Sequence, residues 1–180
     1  MKIIYTKDKE FKTEFENILK RAKSDIKGVS KIVENIIDEI VEDGNEALKR
    51  HIEKFDKWIV KSDDELLISQ DSMKKAYETL DESLKKSLHI AYERIKAYHE
   101  KQLPKSWIDF EENGTILGQK VTAVDRAGLY IPGGKAAYPS SLLMNAIPAK
   151  VAGVKEIVVC TPTPNNEVNE LLLAACHLCG

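Results

Sequence analysis

The sequence changes character near Asn113-Gly114, and that change limits the architectures open to it. Residues 1–110 carry 45 of the 56 charged side chains, and residues 111–180 carry 11. Seven of the nine glycines fall in the second stretch. A charge-rich stretch with few turn formers suits solvated helices. A charge-poor stretch punctuated by glycine and proline suits buried α/β structure.

The apolar spacing agrees. In 6–23, Phe11, Phe15, Ile18, Leu19 and Ala22 fall on one helical face. The pattern repeats over 26–55 through Val29, Ile32, Val33, Ile36, Ile37 and Ile40. Asp43-Gly44-Asn45 interrupts it, so two helices are expected there. A third region, 69–102, begins at Ser69, a capping residue type. It restarts at Asp81 and ends at Leu103-Pro104, because proline disfavours helix at the residue before it. These amphipathic rods suit a scaffold or an interface that packs on something else.

Beyond Asn113 the period shortens. Residues 116–124 partly alternate and predict a strand or hairpin arm. Residues 127–131 form a short apolar run, and Pro132-Gly133-Gly134-Lys135 follows as a loop. A helix is predicted from Pro139 to about Ala152, stopped by Gly153. Residues 156–161 are β-rich, as in a parallel strand buried on both faces. A loop over 162–166 and a helix over 168–179 complete the order. That order describes an α/β chain, with an N-terminal helical arm over 1–112 and the start of a doubly wound parallel sheet over 113–180. Two or three strands do not cover both faces of such a sheet, so the sheet is expected to be incomplete and the chain a piece of something larger.

The function classes narrow. A net charge of −2 argues against general nucleic-acid binding, which needs a basic surface. No stretch of about 18 apolar residues suits a membrane span. Three cysteines, Cys160, Cys176 and Cys179, read as reduced thiols in a cytoplasmic protein. Cys176-His177-Leu178-Cys179 has the look of half a metal site, but its apolar neighbours suit packed cysteines on a core helix. His51, His89 and His99 are not at ligand spacing from one another.

The strongest chemical signal is the run from Gly128 to Gly134. Adjacent glycines after a strand let the backbone approach a ligand, and the next helix offers free N–H groups to an anion. Tyr130 ends the strand and suits stacking on a ligand. Ser140 and Ser141 suit capping or hydroxyl contacts with substrate. The spacing is neither GxGxxG nor a P-loop, so a nucleotide site and a plain tight turn both remain open. Pro148 lies inside the predicted helix and removes its hydrogen bond to Met144. It either fits the helix to the sheet or turns Met144 and Asn145 toward a site.

The long run from Val124 to Gly134, continued by Tyr138-Pro139-Ser140-Ser141-Leu142-Leu143-Met144-Asn145-Ala146-Ile147-Pro148-Ala149-Lys150-Val151-Ala152-Gly153-Val154, closely resembles histidinol dehydrogenase. Asp43-Gly44-Asn45-Glu46-Ala47-Leu48, Lys54-Phe55-Asp56, residues 95–102 and residues 118–122 are also similar to that family, so the resemblance covers essentially the whole chain. Ala123 stands where many relatives carry proline.

The resemblance implies NAD-dependent oxidation of L-histidinol to L-histidine through L-histidinal, the last steps of histidine biosynthesis. It implies a zinc-requiring homodimer with incomplete Rossmann-like domains. Tyr130 matches an NAD-contacting tyrosine, and Pro132, Gly133 and Gly134 match the loop beside it. The zinc ligands and the Glu-His pair of the family belong to segments outside these 180 residues, so the chain alone is expected to be inactive. A related polyol or alcohol dehydrogenase, and a non-catalytic interaction module, are the alternatives.

Overall fold

A computed structural model describes residues 3–21, 26–133 and 138–180. By contacts the chain groups into two compact units, Met1–His51 and Ile52–Gly180. This division falls well before the composition change near Asn113.

The first unit is helical. Helix α1 spans Phe11–Arg21, α2 spans Ile26–Asp43, and α3 begins at Asn45 and runs to Asp56 in the second unit. Gly44, at φ +58°, makes the expected break between α2 and α3. Such a left-handed turn is costly for residues with a Cβ. Two pairs tie α2 to the start of α3: Arg50 Nη2 to Asp43 Oδ2 at 2.6 Å, and His51 Nε2 to Glu39 Oε2 at 3.2 Å. Phe11 and Phe15, one turn apart on α1, stack at 5.5 Å. The apolar faces of α1 and α2, including Phe15, Ile18, Leu19, Ile32 and Ile37, are exposed.

The second unit carries two more amphipathic helices, α4 (Gln70–Thr79) and α5 (Glu82–Glu100). Both start where capping chemistry places them. The Ser69 hydroxyl accepts from the Ser72 N–H, and the Asp81 carboxylate accepts from the Ser83 N–H. The hydrogen bonds from Ser83, side chain first and then backbone, hold the Asp81 carboxyl below the usual carboxylate range. A short 3₁₀ turn at Asp63–Leu66 precedes them and has no counterpart in the sequence reading.

Strands β1 (Trp107–Phe110) and β2 (Ile116–Gln119) form an antiparallel hairpin. Asn113 and Gly114 lie in the connection between them. The Asn113 side chain accepts from the Thr115 N–H at 2.8 Å, and Gly114 sits at φ +88°. Only the β2 arm was expected from alternation. Trp107-Ile108-Asp109-Phe110 is four residues long and too short to show a period.

Strand β3 (Arg126–Tyr130), helix α6 (Pro139–Val151) and strand β4 (Glu156–Cys160) follow, with β3 and β4 parallel and in register from Arg126↔Glu156 to Tyr130↔Cys160. A parallel pair needs a crossover of this length, and α6 supplies it. Gly153, at φ +93°, lies just beyond the helix as expected. Helix α7 (Glu170–Cys179) comes last and ends on Gly180 at φ +80°.

The core lies where α5, α6 and α7 meet the sheet. Leu88, Ile131, Leu142, Leu143, Ile147 and Leu172 are buried in one cluster. Leu142, Leu143, Ala146 and Ile147 give α6 its inward stripe. Leu129 and Val159 pack on the cluster from the sheet. Their neighbours along the strands point the other way. Arg126, Gly128, Tyr130, Glu156, Val158 and Cys160 are exposed. The expectation of strands buried on both faces is therefore corrected: among the described residues helices cover one face only. The fold class is α/β, as expected.

Pro148 lies within α6 with helix continuing on both sides. The Asn145 side chain donates to the Ser141 carbonyl of the same helix at 2.7 Å, so it serves its own helix. Ile147 is 1% exposed and central to the cluster. Ile147→Ala should cost about 2–5 kcal/mol of stability, read from urea unfolding curves.

Candidate functional site

Parallel strands that end together send their following loops off the same edge of the sheet, and ligands of open α/β sheets bind there. Here the ladder closes with the Ile131 N–H donating to the Cys160 carbonyl at 2.9 Å. Immediately beyond, Pro132-Gly133 follows β3 and Thr161-Pro162 follows β4. Together with Tyr138 and Asn169 these residues line a cleft of about 730 Å³.

The two loops are in tight contact. A Cβ built on Gly133 would lie 2.9 Å from the Pro162 carbonyl oxygen and 3.0 Å from Thr161 Oγ1. The first distance is to backbone, which cannot swing aside. Gly133 is thus required by the packing of one strand-end loop on the other. Beneath it Thr161 Oγ1 is buried and has no hydrogen-bond partner. An orphaned buried hydroxyl costs about 1–3 kcal/mol, so its retention needs a reason.

Two helices start at the cleft, and they differ. Helix α7 is capped by Asn169, whose side-chain oxygen accepts from the Leu171 and Leu172 N–H groups at 3.0 and 3.3 Å. Helix α6 begins after Tyr138 with no side-chain cap. Its first-turn N–H groups are those that a helix start offers to an anion. Between β4 and α7 the chain makes a 3₁₀ turn, Pro164–Asn166, with Asn165 and Asn166 at φ +56° and +59°. Asparagine tolerates that region better than most residues. The turn is tied down where the Thr163 N–H meets the Asp56 carboxylate at 3.4 Å.

The site residues expected from sequence are only partly brought together. Pro132 and Gly133 line the cleft. Gly134 lies outside the described residues. Tyr130 is 69% exposed on the open face of the sheet, opposite Cys160 in register, and does not line the cleft. Ser140 and Ser141 sit inside the first turn of α6 and do not cap it; the N-cap is Tyr138. Sequence reasoning missed Thr161 and Asn169. Asn169 before Glu170-Leu171-Leu172 is a cap signal that the apolar period, starting at Val168, had masked. Thr161 carries no signal of its own, because its burial arises only when the two loops meet.

Cys176 and Cys179 lie on α7. Burial, with the neighbouring Cys179 second, pushes the Cys176 thiol up to about 11. Burial likewise pushes Cys179 up to about 11 against the opposing influence of Lys150. Both stay protonated at neutral pH, which suits packing and not metal ligation. His177 instead packs its ring 5.2 Å from that of Tyr77, whose hydroxyl bonds His89 at 2.7 Å.

A parallel β-α-β unit with a cleft at the strands' carboxyl ends, bordered by Pro132, Gly133 and two helix starts, defines an α/β domain with its cleft where open α/β sheets carry theirs. A sequence model of the family described as histidinol dehydrogenase matches residues 19–180. The histidinol dehydrogenase of Sulfurimonas denitrificans is 68% identical over 175 residues, 97% of this chain and 41% of that protein. That of Wolinella succinogenes is 66% identical over 171 residues, 95% of this chain and 40% of that protein. The crystal structure of histidinol dehydrogenase from Elizabethkingia anophelis superposes with a TM-score of 0.77 at 28% identity, covering 84% of this chain and 35% of that one. The chain belongs to the histidinol dehydrogenase family. It spans about two-fifths of the length of these curated relatives.

Two outcomes test the geometry. Gly133→Ala should cost about 1–3 kcal/mol through overpacking, whereas Gly128→Ala, with nothing within 4 Å of the added Cβ, should stay within about 0.5 kcal/mol of the parent. In thiol titration at pH 8 with an aromatic disulfide reagent, exposed Cys160 should react fast and the two α7 cysteines only on unfolding.

Proposed function

We propose that this chain supplies the dinucleotide-binding part of a cytoplasmic histidinol dehydrogenase, which oxidises L-histidinol to L-histidine through L-histidinal. The observation that carries the reading is the family match across 19–180, joined to a cleft at the carboxyl ends of β3 and β4. NAD, when bound, accepts hydride from the alcohol and then from the hydrated aldehyde.

The residues of this chain fit NAD. The uncapped start of α6 at Tyr138 offers N–H groups to the pyrophosphate. Pro132 and Gly133 form the wall beside it, and Gly134, next in the sequence, is assigned to the same cofactor loop by the resemblance. Tyr130 stands two residues before Pro132 and presents its ring to a ligand that extends past the cleft onto the open sheet face. Ser140 and Ser141, at the first turn of α6, are assigned to the substrate side.

The described residues do not fit zinc. Among them no group of three His, Cys, Asp or Glu side chains is arranged to hold a metal. No step is routed through it, and acid/base work is assigned to no residue of this chain. The exposed apolar faces of α1 and α2, within the helical stretch 1–112, suit the assembly expected of a homodimer. No helix among the described residues is long and apolar enough to cross a membrane.

Titration of the chain with NAD, followed by calorimetry, should give saturable binding, weakened about tenfold by Tyr130→Ala. No saturable binding by the parent chain would overturn the reading. Zinc-loaded chain alone should give no NADH from L-histidinol and NAD; turnover would show that these residues hold the catalytic groups after all.

A further inference from the structure

Resting on the dinucleotide reading, we infer that Thr161 is a ligand-binding residue whose side-chain hydroxyl takes a ribose hydroxyl of the dinucleotide. Thr161 is the first residue beyond β4 and lines the cleft, yet its Oγ1 faces Gly133 and is left without a partner. Threonine carries its hydroxyl and its methyl on the same carbon. Rotation about χ1 by one rotamer sets the methyl where the hydroxyl was and carries the hydroxyl to the place of the Cβ hydrogen. A ligand in the cleft gives the hydroxyl the partner that the protein withholds, and the methyl is better suited to the dry position under Gly133.

The surroundings select a hydroxyl over a phosphate. On this side of the cleft the N–H groups at the start of α7 are already taken by the Asn169 side chain. Glu167 and Glu170 add two carboxylates to the lining, and no lysine or arginine is among the described lining residues. Negative charge is disfavoured there, while a hydroxyl that donates to a carboxylate or to Thr161 Oγ1 is welcome. The uncapped α6 start, on the other wall, is left for the phosphates.

The test rests on two readouts that a purely structural threonine would not move in opposite directions. In the unliganded chain Thr161→Val removes an orphaned hydroxyl and keeps the shape, so its melting temperature should equal or exceed that of the parent. Its NAD affinity, by calorimetry, should fall about three- to tenfold. Thr161→Ser should restore the affinity. Inorganic pyrophosphate should compete with NAD equally well against parent and Thr161→Val. Unchanged NAD affinity in Thr161→Val, with Tyr130→Ala weakened, would overturn the inference and leave the dinucleotide reading standing. Pyrophosphate binding that depends on Thr161 would overturn the ribose assignment. Absence of NAD binding by the parent would remove both readings together.

Discussion

The parallel pairing of β3 with β4 is the constraint on which the rest depends. Once Tyr130 lies opposite Cys160, the two chains leave the sheet at the same edge and their next residues must meet. The meeting is possible because residue 133 has no Cβ. The same pairing fixes α6 as the crossover and sets its inward stripe against the sheet. From there α5 and α7 pack on either flank of a single cluster around Leu142, Leu143 and Ile147. A shift of one residue in that register would turn either Leu129 or Val159 outward and set the two loops out of step.

The helical part answers to local chemistry. Ser69 and Asp81 start α4 and α5 by accepting N–H groups that a helix start leaves open. Gly44 sets the break after α2 with a backbone conformation that few residues accept. These devices act within a few residues, so they need no partner from afar. The sheet is different. Its covered face is paid for by three helices from separate stretches of chain, and its other face carries Tyr130, Val158 and Cys160 in the open.

That contrast explains what was legible in the sequence. Ser69, Asp81, Gly44, Asn113-Gly114 and Gly153 all did what their types and neighbours require. The order strand, glycine loop, helix, strand, loop, helix was legible for the same reason, because each element carries its own period. Strand β1 was not, since four residues hold no period. One-sided cover of the sheet was not, because an apolar run such as Ile157-Val158-Val159 reads alike whether one face or two are packed. Of the expected site residues, Pro132 and Gly133 line the cleft, Tyr130 does not, and Ser140 and Ser141 lie inside the first turn of α6 and do not cap it. Thr161 was invisible, because its distinguishing property is burial beneath a residue 28 positions earlier.

The meaning of the glycine loop changes most. Adjacent glycines after a strand suggest a backbone opened for a phosphate. At Gly133 the space that a Cβ would take already belongs to the Pro162 carbonyl and the Thr161 hydroxyl of the same chain. The glycine therefore serves the protein before it serves a ligand. It brings the β3 loop down on the β4 loop, and that contact both shapes the cleft wall and seals the Thr161 hydroxyl away from a partner. This also accounts for a strand-end cleft without the GxGxxG spacing. That motif spends its glycines on a turn, a pyrophosphate and a helix, all within one loop. Here one glycine closes the seam between two loops, and α6 starts at Tyr138 with no side-chain cap from that residue.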